Sequence, residues 1–167
     1  EREIYENYNC IVFHMTDLPF GRGGSPLQNL ISRGVSETKI SAIVVEKILD
    51  AGPVYLKKNL SLLGTAEEIF IRANNVIQIM ITEIINKNIT PKPQIGTPET
   101  FKRRTKEMSE ITNQFNELVS LYDHIRMLDA DGYPKAYIET EFFTFEFTRA
   151  SLKSNEIIIS DVRIIKK

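Results

Sequence analysis

Residues 10–31, CIVFHMTDLPFGRGGSPLQNLI, constrain the fold more than any other stretch of the chain. A compact apolar run, Cys10 to Phe13, ends in one of only two histidines, His14. The run suits a strand buried on both faces, as in a parallel sheet. Leu18-Pro19 and the loop Gly21-Arg22-Gly23-Gly24 then break the chain. Ser25 reads as the N-cap of the following helix, with Pro26 at its first position, where a missing N–H costs nothing. Gly34 stops that helix. A strand–turn–helix unit with an ionisable residue at the strand's carboxyl end is therefore the first expectation.

The chain continues in the same style. Residues 39–46, KISAIVVE, are β-branched and apolar and suggest a second strand. A turn at Asp50–Pro53 leads to a third. Thr65 and Glu68 form a capping box that opens a long helix to about Asn88. Ile69, Ala73, Val76, Ile77, Met80, Ile81 and Ile84 recur in it at helical spacing. NITPKPQIGTPET, with three prolines, reads as extended linker. A shorter helix is expected over roughly 110–128. After it EFFTFEFTR alternates strictly, placing Phe143, Phe145 and Phe147 on one face, and joins EIIISDVRII in an antiparallel hairpin.

In 167 residues with 42% hydrophobic content there is enough apolar material for one core. The net charge of -1 gives no basic field of the kind that advertises nucleic-acid binding. Apolar runs are short, or interrupted by Glu, Asn and Gln, so no membrane span is expected. One cysteine excludes an internal disulfide and suits a reducing, cytoplasmic setting.

Two residues stand where chemistry collects in open α/β sheets, at the carboxyl ends of strands: His14 and Asp50. Taken singly, His14 reads as a histidine bonded to a nearby carbonyl and Asp50 as turn chemistry. Together in one sheet, they can bring a carboxylate to an imidazole, which fixes its tautomer and stabilises its charged form. The loop around Arg22 and Gly23 could hold an anion through backbone N–H groups and one guanidinium. It is not a P-loop, because no Gly-Lys-Ser/Thr follows. Cys10 reads as a core residue, His124 as surface or satisfied core, and Lys102-Arg103-Arg104 as a solvated face or a clamp on a local carboxylate. No metal site is expected.

Taken together, FHMTDLPFGRGGSPLQNLI and LDAGPVY resemble the formyltransferase family that uses 10-formyltetrahydrofolate. That family's signature has a histidine ending a strand, a Ser or Thr two residues on, Leu-Pro, and Arg-Gly before a helix. Here these are His14, Thr16, Leu18-Pro19 and Arg22-Gly23. The family's aspartate stands in an Asp-x-Gly turn, matched by Asp50-Ala51-Gly52 at the family's own interval. FKRRTKEMSEI and LYDHIRMLDADGYPKAYI resemble downstream segments of the sugar formyltransferases, and the wording HMTDLPFGRGGSPLQNLI looks like their pseudaminic-acid type.

The resemblance implies an α/β fold: the C-terminal portion of a Rossmann-like formyltransferase domain (1–90), a linker (91–108), and a small C-terminal α+β subdomain with an antiparallel sheet (109–167). It implies His14 and Asp50 as catalytic residues. It implies a folate-lining stretch of Val45, Glu46, Lys47, Ile48, Leu49 and Asp50, and acceptor contacts from Thr16, Arg22 and Gly23. The co-substrate would be 10-formyltetrahydrofolate. The acceptor would be the amine of a nucleotide-linked amino sugar in surface-polysaccharide synthesis, with no nucleic acid or membrane as partner. Methionyl-tRNA formylation is the runner-up, and a catalytically silent folate- or nucleotide-binding module the reading from another class. Two departures stand out. Val12 occupies the place of the family's asparagine, and the family's N-terminal Rossmann half has no counterpart, so a longer polypeptide, a partner chain or a homodimer is expected to cover exposed apolar edges.

Overall fold

The elements around the Asp50 turn fold as a three-stranded antiparallel sheet with a helix on either side of it in sequence. The computed structural model describes residues 2–154 and 156–167. A short helix α1 (Arg2–Asn7) precedes β1 (Ile11–His14), and α2 (Pro26–Ile31) follows the glycine loop. β3 (Glu37–Val44) and β4 (Val54–Ser61) complete the sheet in the order β1-β3-β4, and the loop itself contributes the two-residue β2 (Arg22–Gly23). β1 runs antiparallel to β3, with Ile11 opposite Val44 and His14 opposite Ser41. The parallel, doubly buried strand expected from CIVF is therefore corrected. A four-residue apolar run cannot distinguish the two ladders, and Val12 is in fact 38% exposed on an edge strand.

α2 starts at Pro26 as expected, but Ser25 is not a conventional cap. It sits at φ 50°, and its hydroxyl makes no bond to the helix. Instead Ser25 Oγ accepts the backbone N–H of Arg104 at 3.0 Å. The helix end is thus tied to a distant segment rather than closed on itself.

α3 (Ala66–Lys87) has the full capping box: Thr65 accepts from the N–H of Glu68, and Glu68 accepts from the N–H of Thr65. Its buried stripe is Ala66, Ile69, Ala73, Met80 and Ile84, while Val76 and Ile77 pack partly against the core. Ile81, expected on the same face, is exposed. The stripe packs with Leu27, Leu30 and Ile31 of α2 and with Ile40, Ala42 and Leu60 of the sheet in one cluster. Each Leu, Ile or Met among them, once fully buried, contributes about 1.5–3 kcal/mol.

The proline-rich stretch is extended but not free. Val54 and Lys92 exchange backbone hydrogen bonds at 2.7 and 2.9 Å. β5 (Thr100–Phe101) pairs in parallel with β2. Phe101 is buried against Phe20 edge-on, with the Arg33 guanidinium 4.5 Å over its ring.

Next come a 3-10 turn (Glu107–Ser109) and α4 (Leu118–Arg126), shorter than the helix expected over 110–128. β6 (Ala136–Glu139), β7 (Phe143–Lys153) and β8 (Ile157–Lys166) form the expected antiparallel sheet. Asn155, in the turn expected at KSNE, lies outside the described residues. Phe147 packs on the core, and Phe143 stands exposed at the far end of the same face. Arg126 locks this sheet's helix to the rest, its Nη1 donating to Leu62 O at 2.6 Å and Gly64 O at 2.8 Å.

Candidate active site

His14 and Asp50 converge. The chain leaves β3 at Val44, opposite the start of β1, and the N–H of Val45 donates to Cys10 O at 2.9 Å. It then folds back past β1 until Asp50 Oδ2 stands 3.6 Å from His14 Nδ1. Both side chains are nearly covered, 9% exposed each. Gly52 makes the fold-back possible: a Cβ there would lie 1.9 Å from Val44 O. Asp50 itself takes a left-handed φ of 53°, which a short polar side chain tolerates better than most. Such a conformation at a non-glycine residue persists where the surroundings impose it.

The ring of His14 is held at its other nitrogen. Nε2 lies 2.7 Å from Gly21 O. A carbonyl can only accept, so Nε2 carries the proton and Nδ1 is the nitrogen left beside the carboxylate. The tautomer is thus set by the glycine loop, not by Asp50 as the sequence alone suggested.

The loop's donors are spent on the protein itself. Gly23 N–H donates to Asp50 Oδ2 at 2.8 Å, Arg22 N–H to Glu99 O at 2.9 Å, and Gly24 N–H to Phe101 O at 3.3 Å. The expected anion cradle of backbone amides is therefore corrected: these groups position Asp50 and the proline-rich stretch. Arg22 points its guanidinium at Gln94 Oε1, with Nη2 at 2.7 Å. Thr16, expected to touch an acceptor, has no exposed surface. Its hydroxyl donates to Gly21 O at 3.3 Å, and its carbonyl accepts from Ser41 Oγ at 2.7 Å, which shapes the loop from beneath.

Gln94 carries the remaining support. Its Nε2 donates to Asp50 O at 2.8 Å and to Gly52 O at 2.9 Å, while its Oε1 receives Arg22. One side chain thus clamps the Asp-x-Gly turn and the glycine loop together. It has no periodicity or motif to mark it; the one available hint was a run of prolines that stiffens the backbone around it.

The loop leading into Asp50 is exposed and carries both charged and apolar side chains. Glu46, Lys47, Ile48 and Leu49 are exposed, Ile48 and Leu49 at 68% and 70%. Val12, two residues before His14 on the same strand face, presents only methyl groups. Asn9, just before the strand, has its Oδ1 accepting the hydroxyl of Tyr55 at 3.0 Å. Cys10, expected in the core, is half-buried. His124 is a satisfied core residue, its Nε2 donating to Ser109 O at 3.1 Å. Burial pushes its pKa down, the Ser109 carbonyl partly restores it, and the nearby Arg104 charge lowers it further. No group of three His, Cys, Asp or Glu among the described residues is placed to hold a metal, and no helix among them is long and apolar enough to cross a membrane.

Residues 106–165 match the family model described as methionyl-tRNA formyltransferase, C-terminal domain. The solved structure of a methionyl-tRNA formyltransferase from Clostridium thermocellum is 54% identical, superposes with a TM-score of 0.96, and is matched over 100% of this chain and 73% of its own. The chain belongs to the formyltransferase family. A methionyl-tRNA formyltransferase of Thermodesulfovibrio yellowstonii is 34% identical over 57% of this chain and 33% of its own length. The formyltransferase chain spans between a third and just over half of the curated relatives it matches.

These findings overturn the amino-sugar acceptor and, with it, the link to polysaccharide synthesis. A 4-N formyltransferase from Francisella tularensis shares only 15% identity at a TM-score of 0.64, over 96% of this chain and 64% of its own, which is a likeness of fold. The methionyl-tRNA formyltransferases this chain resembles are named for a tRNA substrate, and net charge is weak ground for expecting no nucleic acid. It is a whole-chain sum and is blind to local clusters such as Lys102, Arg103, Arg104 and Lys106.

Proposed function

We propose that this formyltransferase chain carries the reacting centre of a methionyl-tRNA formyltransferase, which moves the formyl group of 10-formyltetrahydrofolate to the amine of methionyl-tRNA. The likeness to the Clostridium protein over the whole chain supports the acceptor. The observation that carries the chemistry is the 3.6 Å approach of His14 and Asp50 beside an exposed loop.

The amine nitrogen attacks the formyl carbon, giving a tetrahedral oxyanion and a charged nitrogen. The carbon–N10 bond then breaks and N10 of the folate takes up a proton. Asp50 Oδ2 is committed to Gly23, so Oδ1 is the oxygen that faces the incoming amine and receives its proton, directly or through a water. His14 Nδ1, bare in the resting tautomer, takes that proton from the adjacent Asp50 carboxyl and passes it to N10 of the folate as the carbon–nitrogen bond breaks, which returns both residues to their starting state. Val12 offers no hydrogen bond to the oxyanion, so His14 bears more of that stabilisation than it would beside an asparagine. Ile48 and Leu49, with the backbone of residues 45–50, would line the pterin ring. Residues 1–90 supply this centre, 91–108 brace it through Gln94 and Phe101, and 109–167 pack behind.

The test is formation of formylmethionyl-tRNA by the intact protein supplied with both substrates. Transfer that falls on the order of 100-fold or more in Asp50→Asn supports the proposal. Folate binding without transfer to methionyl-tRNA would instead identify a silent module.

A further inference from the structure

His14 is one of three side chains that stand in a row across the β1-β3-β4 sheet. Ser41 of β3 lies directly opposite His14, and Lys57 of β4 lies directly opposite Ser41. Directly opposed residues of antiparallel strands share a face, so the row crosses one side of the sheet. The neighbours of Ser41 on β3, Ile40 and Ala42, turn the other way into the core. Ser41 is fully buried, and a buried hydroxyl is costly unless it is bonded. Its two bonds show what the row is for.

All three side chains grip the loop of residues 16–21. Ser41 Oγ donates to Thr16 O at 2.7 Å and accepts the N–H of Leu18 at 3.3 Å. Lys57 Nζ donates to Leu18 O and, at 2.5 Å, to Asp17 Oδ1. Lys39 Nζ takes the other carboxylate oxygen at 2.9 Å. Burial works against the charge on Asp17, but its bonds to Lys39 and Lys57 outweigh that and hold its pKa below the ordinary value. His14 Nε2 meets Gly21 O at 2.7 Å, and Thr16 Oγ1 donates to the same carbonyl at 3.3 Å. The carbonyl that sets the tautomer of His14 therefore hangs from Thr16, and Thr16 hangs from Ser41. Gly21 is closely packed: a Cβ there would lie 2.7 Å from Thr16 Cγ2 and 2.8 Å from Phe101 Cε2.

We propose that Ser41 and Lys57 are positioning residues for formyl transfer, holding the 16–21 loop where Gly21 O keeps the ring proton of His14 on Nε2 and leaves Nδ1 bare. The proposal rests on His14 and Asp50 being the reacting pair, and is independent of which amine accepts the formyl group. Loosening the row lets Gly21 O move off, and the ring can then place its proton on Nδ1, against Asp50 Oδ2. A neutral ring protonated at Nδ1 cannot take up the proton that Asp50 collects from the amine. The loss therefore falls on turnover and not on folate binding.

Nitrogen-15 NMR of the intact, histidine-labelled protein reads the tautomer without substrate, and His124→Gln identifies the His14 signals. In the wild type Nε2 is protonated and Nδ1 is bare. In Ser41→Ala the form protonated at Nδ1 grows to a comparable population, and kcat for formyl transfer falls at least about tenfold while KM for 10-formyltetrahydrofolate is unchanged. Lys57→Met, which keeps most of the alkyl stem, moves both readouts the same way by less, and Lys57→Arg restores them. Lys58→Met, whose lysine pairs with Glu83 on the opposite face, moves neither. Where circular dichroism shows Ser41→Ala unfolded, Lys57→Met decides. An unchanged tautomer in the folded variants overturns the proposal, as does a rise in KM with kcat intact. A shifted tautomer with turnover intact overturns it too. Transfer at the wild-type rate in Asp50→Asn, with the tautomer shifted in Ser41→Ala, instead removes the reacting pair on which the proposal stands.

Discussion

Three neighbours hold Asp50: Gly23 N–H on its carboxylate, Gln94 on its carbonyl, and Gly52 giving room for the turn. Gln94→Ala removes the clamp while leaving the His14 and Asp50 side chains present. A displacement of about 1 Å can cost on the order of 100-fold in rate, so steady-state kinetics should show kcat reduced by at least about tenfold with the melting temperature little changed. Gly52→Ala drives a methyl group into Val44 O, and denaturant unfolding should report a loss of about 1–3 kcal/mol or more. The meeting of His14 and Asp50 was legible for two different reasons: His14 ends β1, whereas Asp50 lies in the loop beyond the end of β3 at Val44 and was marked only by its Asp-x-Gly wording. Gln94 was not, since a lone amide in an extended stretch has no period to betray it. Thr16 and Gly23 were legible as a motif but not in role. A signature shows that a residue matters, and only packing shows whether it faces a ligand or a neighbouring carbonyl.

The elements divide in the same way. The capping box of α3 and the alternating hairpin β7–β8 could be read directly, because both are local: capping spans three residues, and alternation is a property of one strand. The antiparallel pairing of β1 with β3 could not, since the hydrophobic pattern says nothing about strand direction. The pairing of β5 with β2 was equally hidden, because two-residue strands leave no pattern. α4 carries a testable electrostatic consequence. His124 is buried neutral with a pKa below its ordinary value, so the unfolded chain binds its proton more readily than the folded one. Its contribution is therefore present above about pH 6.5 and is lost as the pH falls toward the lowered folded-state value. Urea midpoints measured from pH 7.5 down to 5 should decline below about 6.5, and His124→Gln should make that decline shallower. A profile identical in the variant would place the acid sensitivity in other groups.

At the scale of the whole molecule, three segments distant in sequence are tied into one centre: β1 with its glycine loop, the turn at Asp50, and the proline-rich stretch through Gln94. That connectivity explains why the stretch 91–108 behaves as scaffold even though its composition reads as linker. It also makes the central claim a statement about a pair, His14 with Asp50, and not about either residue alone. Groups that act as a unit do not add: removing the second costs little once the first is gone. The direct measurement is a double-mutant cycle on single-turnover formyl transfer to methionyl-tRNA, comparing His14→Asn, Asp50→Asn and the double variant in the intact protein. A large loss is expected in each single variant, with the double variant about as slow as the slower single. Rates that multiply independently, or a single variant that transfers at the wild-type rate, would contradict the central claim.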